Sequence, residues 1–171
     1  GVFALKPSAG RVPAYPASAF GTLSHVGPIT RTVEDAALMM NVMIQPGPRD
    51  WLALPYDPWD YRTGLDLGVR HLQIAFSPGL GYVDVDPEVA SIVADAVSVF
   101  EQIGAVVEQR DPGFDDPIDC FNKHWYWGCH TMISAYPEEA QKDMDPGLIE
   151  VAEIGAGYGL DDYSRAMDER V

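Results

Sequence analysis

Basic residues are scarce in this sequence of 171 residues. Lys and Arg total 11 against 26 Asp and Glu, which gives a formal net charge of −15 at pH 7. Because like charges repel, a chain this acidic does not attract the phosphate backbone of a nucleic acid. The composition therefore predicts that the chain itself has no nucleic-acid partner.

Cysteines and long apolar runs are also few. The two cysteines, Cys120 and Cys129, are too few for the disulfide framework of a small secreted protein. No stretch resembles a signal peptide, and no run of about 18 apolar residues predicts a membrane span. We therefore expect a cytoplasmic protein that has no membrane partner.

The hydrophobic content and the length of the sequence predict a folded chain. Hydrophobic residues make up 47% of the sequence, and a chain of this length can bury a sizeable core. We predict a single domain over residues 1–171, in which an N-terminal segment (1–50) and a β-α-β unit (71–110) are followed by a helical cover (116–171).

The clearest helix signal runs from Thr32 to Gln45. Thr32 and Asp35 have the spacing of a capping box, in which a hydroxyl accepts a hydrogen bond from a free backbone amide. Apolar residues then recur at helical spacing, and the Pro-Gly-Pro sequence of residues 46–48 prevents the helix from continuing. These signals predict one amphipathic helix.

A β-α-β unit is predicted over residues 71–110. Residues 71–76 alternate like a strand, Asp86 and Pro87 have the pattern of a helix start, and residues 105–110 have the pattern of a second strand. Between them, apolar residues from Val89 to Ile103 predict a buried helix stripe. Two parallel strands joined by a helix predict fold class α/β, with a partial mixed or parallel sheet and packed helices.

Two loops flank the first helix. Residues 11–20 have two prolines and no period, and the nearby hydroxyls of Ser18, Thr22 and Ser24 have no visible base, so we assign them no chemistry. Residues 46–70 form a long excursion rich in Pro, Gly, Asp and aromatics. This second loop either shapes a substrate entrance or packs onto the surface through its own aromatics.

Residues 118–135 hold a dense set of Cys, His, Trp and Tyr at helical spacing. Cys120 and His124 would share one face of such a helix, whereas Cys129 would point to the opposite side. Because these side chains do not converge, we predict no metal site and expect buried thiols and surface imidazoles, with single histidines in hydrogen-bonded packing.

The remaining residues, 137–171, are acidic and predict helices with a solvated face. We expect breaks at the Pro-Gly pair of residues 146–147 and at the glycines 155, 157 and 159.

Two sequence blocks carry a family resemblance. Residues 27–37, GPITRTVEDAA, resemble the GP-(I/M)-(A/T)-R-(T/S)-VEDAA segment of the amidase signature family. Residues 1–12, GVFALKPSAGRV, resemble its GVxGLKPTxGRV segment, and residues 86–89 and 104–107 are similar to its DPEV and GAxV segments. The resemblance covers residues 1–112 and fades beyond them.

The resemblance implies a chemistry for a longer protein. Family members use a serine nucleophile, activated through a second serine on a cis peptide bond and a lysine, to hydrolyse amides or pass ammonia onward. In the family these groups precede the GVxGLKPTxGRV segment, and no Gly-Ser-Ser or Gly-Gly-Ser segment or matching lysine here takes those roles. We assign no catalytic residue, and we expect an inactive C-terminal part of an amidase or of a glutamyl-tRNA amidotransferase A-type subunit.

A second interpretation stays open. The sequence is also compatible with a stand-alone acidic α/β module that binds a small molecule or a protein without catalysis. That interpretation explains the predicted fold, whereas the amidase interpretation also explains the two sequence blocks.

The resemblance also implies where substrate binds. In similar amidases the segment after GVxGLKPTxGRV runs near the active-site rim, and the helices after the GAxV strand cover the variable end of the substrate. Trp125, Tyr126, Cys129 and His130 are therefore candidate substrate-binding residues, with packing in the core as the alternative.

The same resemblance sets the expected partners. The implied partner of the parent protein is a small-molecule amide, and we expect no cofactor and no metal ion. Apolar surface around the predicted strand at residues 1–5 would be exposed in this chain alone. We therefore predict a homo-oligomer formed through the exposed sheet or apolar surface.

Overall fold

The structure is a computed structural model that describes residues 1–170. These residues form two compact units, one made of Gly1–Thr63 and the chain from Ile118 onward, the other made of Gly64–Pro117. The single domain and its inner boundaries stay a prediction. The mixture of helices and small sheets confirms fold class α/β.

The first unit begins with a short sheet and a helix. Strand β1 (Phe3–Ala4) pairs antiparallel with β2 (Ile29–Thr30), and helix α1 spans Val33–Met43. The Thr32 hydroxyl accepts a hydrogen bond from the Asp35 amide at 3.1 Å, so the predicted cap is confirmed. Three residues of α1 are at most 6% exposed and anchor the helix: Ala36, Ala37 and Met40.

The longest helix of the first unit, α3 (Ile118–Ile133), packs against the last two helices of the described chain. After the short α4 (Glu138–Gln141) come α5 (Pro146–Ala156) and α6 (Leu160–Glu169). The core between α3 and α5 contains Cys129, Ile133 and Ala152. The α3 helix predicted from the sequence is thus confirmed.

The prediction of a helix break at Gly155 is wrong. Gly155 lies inside α5, and a Cβ atom added to it would be 2.0 Å from the backbone oxygen of Tyr126. The residue is therefore glycine because the backbones of α3 and α5 approach each other there. A helix interior tolerates glycine at a cost, here offset by close packing of two helices.

The second unit contains the predicted β-α-β unit. Strands β3 (Gln73–Phe76) and β4 (Val106–Gln109) pair in parallel, and helix α2 spans Pro87–Gln102 between them along the chain. The Asp86 carboxylate accepts a hydrogen bond from the Glu88 amide at 2.8 Å and caps α2. The capping and pairing predicted from the sequence are confirmed.

The predicted burial of the α2 stripe is wrong for this chain. None of the helix residues is buried, and its apolar stripe is exposed, with Val89 at 50% and Ile92 at 61%. Strands of four residues are about 13 Å long, whereas a helix of 16 residues is about 24 Å long. Two such strands are too small to cover the helix. The helix is therefore amphipathic, but its apolar stripe is not buried.

We predict that Gly155→Ala destabilises the first unit. The steric cost of overpacking, about 1–3 kcal/mol, exceeds the gain of up to about 1 kcal/mol that Ala has over Gly in a helix. Urea denaturation should therefore show an unfolding free energy lower than that of the unchanged chain by up to about 2 kcal/mol. Gly157→Ala is the control, because Gly157 is exposed with a helical φ of −77°. Equal stabilities for the two variants would contradict the close approach of α3 and α5.

Candidate functional site

A cavity of about 250 Å³ lies in the first unit, between the loop of residues 8–26 and residues 50–52. Its lining is mainly apolar and includes Ala14, Ala17 and Leu52, with the well-exposed Trp51 at its edge. His25 and Asp50 are the ionisable residues among the described residues that line it. Residues 11–20, the segment that the resemblance places near an active-site rim, contribute Val12, Ala14, Ala17 and Ser18 to this concave site.

The Asp50 carboxylate holds the two sides of the cavity together. One of its oxygens accepts a hydrogen bond from the Ala14 amide at 2.9 Å, and the other accepts from the Leu52 amide at 2.9 Å. Beside them the Leu54 amide donates to the carbonyl of Gly10 at 2.8 Å. Gly10 has a φ of +76° and no room for a Cβ beside the carbonyl of Leu52, so glycine is required there.

The remaining polar groups of the cavity can form hydrogen bonds with a ligand. Nδ1 of His25 is 3.0 Å from the carbonyl oxygen of Leu23. Since a carbonyl oxygen only accepts, the neutral ring carries its proton on Nδ1, and Nε2 is then an acceptor. The Ser18 hydroxyl accepts from the Phe20 amide at 3.2 Å, which leaves its own proton for donation. The cavity thus offers an acceptor and a donor without a cation in the described lining.

The four predicted substrate-binding residues lie along α3 but do not surround one space. Trp125 stacks on the ring of Phe20, with centroids 4.6 Å apart, while Cys129 is 1% exposed in the core against α5. The backbone oxygen of Tyr126 faces α5 at Gly155. His130 is half-buried and lines a second cavity of about 250 Å³ together with residues of α5. Their role in binding substrate stays a prediction.

The second cavity does not contain a nucleophile activated by a base. Ser134 lines it beside His130, and the Ser134 hydroxyl is 3.4 Å from Nδ1 of His130. The hydroxyl donates its proton instead to the backbone oxygen of His130 at 2.6 Å. Because a hydroxyl has one proton, this arrangement leaves none for transfer to the imidazole.

The cysteines are buried as expected, whereas the expectation of a surface imidazole is wrong for His124, which is 1% exposed. The thiol of Cys120 donates to the carbonyl of Ala166 in α6 at 3.2 Å, and Nδ1 of His124 is 2.9 Å from the carbonyl of Cys120. Nε2 of His124 is buried and has no hydrogen-bond partner in the described part of the chain. No group of three or more His, Cys, Asp or Glu side chains among residues 1–170 is placed to hold a metal ion.

Sequence reasoning did not identify the cavity. It predicted that residues 11–20 form a loop, and it assigned no chemistry to Ser18 and its neighbouring hydroxyls. A local signal existed at Asp50, whose bond to the Leu52 amide is a short-range turn contact. The bond from Asp50 to Ala14 spans 36 positions in the chain and has no local signal.

These observations define a chain of fold class α/β with a concave, mainly apolar site. The chain belongs to the amidase family, because the Amidase family model matches residues 1–144. The family resemblance of the two sequence blocks is thereby confirmed.

Two relatives illustrate the likeness in sequence. An acylamidase of Rhodococcus erythropolis is 34% identical over 154 residues, which are 88% of this chain and 32% of that protein. The A-type subunit of the glutamyl-tRNA(Gln) amidotransferase of Ligilactobacillus salivarius is 36% identical over 110 residues, which are 64% of this chain and 23% of that protein. The chain thus spans about a third or less of the length of these relatives.

Solved structures show the same likeness in fold. A bacterial aryl acylamidase of the amidase signature family superposes with a TM-score of 0.79 and 29% identity, over 94% of this chain and 36% of that one. A 6-aminohexanoate cyclic dimer hydrolase superposes with a TM-score of 0.80 at 19% identity, over 99% of this chain and 38% of that one. The second likeness shows the fold alone. Together they confirm the predicted fold as a fragment of the amidase signature fold.

We predict that both cysteines of the native chain react slowly with thiol reagents. Burial raises the pKa of the Cys129 thiol, and burial followed by the nearby Glu169 charge raises the pKa of Cys120. Since the thiolate is the reactive form, a raised pKa lowers its fraction at pH 8. Reaction with an aromatic disulfide reagent should be slower by about tenfold or more than in the urea-unfolded chain, and should accelerate as pH rises. Native labelling as fast as unfolded labelling would show that Cys129 is accessible to a ligand.

We predict that Asp50→Ala opens the cavity. The hydrogen bonds from the amides of Ala14 and Leu52 to a charged acceptor are lost, and such bonds contribute about 1.5–3 kcal/mol each. Hydrogen exchange at the Ala14 amide should accelerate by about tenfold or more, since tenfold corresponds to about 1.4 kcal/mol. Asp57→Ala is the matched control, because Asp57 accepts only a local bond, from the Trp59 amide at 3.2 Å. Unchanged hydrogen exchange at the Ala14 amide in the Asp50→Ala variant would contradict the role of Asp50 in holding the two sides of the cavity together.

Proposed function

We propose that this chain is part of an amide-hydrolysing enzyme and forms scaffold and substrate-side wall within it. The observation that carries the proposal is the match of the Amidase family model to residues 1–144. The likeness to an aryl acylamidase over 94% of the chain supports it. The substrate is then a small-molecule amide bound by the whole protein.

Hydrolysis and transfer of ammonia are the two reactions that the relatives suggest. The acylamidase matches 88% of this chain, and amidotransferase A-type subunits match 64% to 84% of it, so the matched share alone does not separate the two reactions. The likeness in structure to an aryl acylamidase, at 29% identity over 94% of the chain, favours hydrolysis. Transfer of ammonia within a complex of several proteins is the alternative, in keeping with the name of the second relative.

We propose that the reactive serine and its base come from outside these 171 residues. Lys6, Lys123 and Lys142 are the lysines of the sequence. Lys123 pairs with Asp119, and Lys142 pairs with Glu139, each at 2.7 Å, so these two ammonium groups contact carboxylates on the surface. Lys6 is exposed. The contacts of these lysines support no role in activating a serine.

The predicted substrate-binding role of residues on α3 remains part of this proposal. Trp125, at 41% exposed, and the half-buried His130 present side-chain surface that a ligand can reach. Cys129 is buried, so its contribution would be to hold α3 in place. Tyr126 is half-buried on the same helix.

The proposal also covers nucleic-acid contact, self-association and location. The net charge of −15 disfavours direct contact with nucleic acid, and the exposed apolar residues of α2 favour self-association of this chain. No helix within residues 1–170 has the length and hydrophobicity needed to cross a membrane. A cytoplasmic location stays a prediction.

We predict that the chain alone does not hydrolyse 4-nitroacetanilide, and that a chimera gains this activity. The chimera is the Rhodococcus erythropolis acylamidase in which this chain replaces the matched region. Release of 4-nitroaniline is measured for both proteins, with Ser134→Ala of the chain alone as the control. Turnover by the chain that disappears in this variant would contradict the proposal. A folded chimera without turnover would contradict it as well.

A further inference from the structure

We propose that the cavity between residues 8–26 and 50–52 is a binding pocket for a neutral molecule of one ring, with a hydrogen-bonding group at one end. Benzamide is a probe of this class. The proposal rests on the proposed function only in choosing an amide as that polar group. The pocket itself belongs to the described chain, so its binding can be measured without catalysis.

The size of the cavity limits the ligand. Its volume is about 250 Å³, whereas an apolar protein cavity of roughly 150 Å³ binds benzene. Drug-sized ligands occupy pockets of roughly 300–1,000 Å³. The cavity therefore has room for one substituted ring.

The apolar side chains of the lining favour a ring over a polar body. Val12, Ala14 and Ala17 line the cavity on the first loop, and Trp51 and Leu52 line it on the second. Removing an apolar ring from water against such surfaces contributes about 25 cal/mol for each Å² buried. A ligand without the ring, such as acetamide, loses this contribution.

The polar groups of the lining favour a neutral ligand over an anion. Asp50 brings a negative charge, and no Lys or Arg occurs in the described lining. Arg170 lies outside the lining and donates to the hydroxyl of Thr22, which is part of it. Benzoate would meet the Asp50 carboxylate without a cation in the lining itself to offset the repulsion. A primary amide suits the other groups, because its N–H can donate to Nε2 of His25 and its oxygen can accept from a lining hydroxyl such as that of Ser18.

The frame of the cavity is formed before a ligand arrives. Both oxygens of Asp50 are engaged by backbone amides, and Gly10 is tied to Leu54. Ordering of loops is one of the free-energy costs of binding a small molecule. Here the loops are already ordered in the folded chain, so binding does not add that cost. A small ligand can thus bind measurably despite its few contacts.

The test is a titration of the ¹⁵N-labelled chain, followed by amide chemical shifts. We expect benzamide to shift the signals of Ala14, Ala17 and His25 and to saturate with a Kd near about 1 mM, as suits so few ligand atoms. Benzoate should bind at least about tenfold more weakly, and acetamide should not saturate. Benzoate binding as tightly as benzamide, or the absence of saturable shifts at these residues, would overturn the proposal.

Variants separate the pocket from nonspecific binding. Ala17→Leu fills the cavity and should weaken benzamide by about tenfold, while Ala135→Leu, at an exposed position outside the lining, should leave it unchanged. His25→Phe should weaken benzamide but not toluene, which lacks the amide. Dispersed amide signals establish that each variant is folded. Unweakened benzamide binding in a folded Ala17→Leu chain would overturn the pocket.

The pocket and the proposed function fail in different experiments. Loss of benzamide binding with an active chimera would reject the pocket and retain the amidase. Specific benzamide binding with a folded but inactive chimera would support the pocket and reject the hydrolase.

Discussion

The Asp50 carboxylate is the contact on which the cavity depends. It bonds the backbone amides of Ala14 and Leu52, each at 2.9 Å, and so joins loops that are far apart in the chain. Hydrogen bonds from amides to a charged acceptor contribute about 1.5–3 kcal/mol, and less where water reaches the amide, as at the exposed Leu52. One carboxylate therefore satisfies two donors and fixes the distance between the two walls of the cavity.

The loop of residues 8–26 is held at its other end by α3. Phe20 stacks on Trp125 with centroids 4.6 Å apart, and a Cβ on Gly128 would come within 2.3 Å of its ring. Arg170 at the end of α6 donates to the hydroxyl of Thr22. The same helices that form the core of the first unit thus position the cavity loop, which connects the packing of α3 to the shape of the candidate site.

Signals that act within a few residues could be predicted from the sequence. The caps at Thr32 and Asp86 belong to this class, because a hydroxyl or carboxylate meets an amide two or three positions away. The three elements of the β-α-β unit could be predicted from the apolar period of each element, and their parallel pairing from the general handedness and order of such units. The close approach at Gly155 and the bond from Asp50 to Ala14 could not, since they depend on which helices and loops meet. The same holds for the candidate site. Helix α3 and the loop of residues 11–20 could be predicted from the sequence, whereas the side chains that line a cavity depend on tertiary packing.

The loops joined by Asp50 form a site for a neutral ring. The measurement that tests this site most directly is a set of intermolecular nuclear Overhauser effects between the ring protons of bound benzamide and the methyl groups of the chain. We expect effects to the methyls of Ala14 and Ala17, which line the cavity. Effects confined to α3, for example to the ring of Trp125, would contradict it and would place the ligand on the helix face instead.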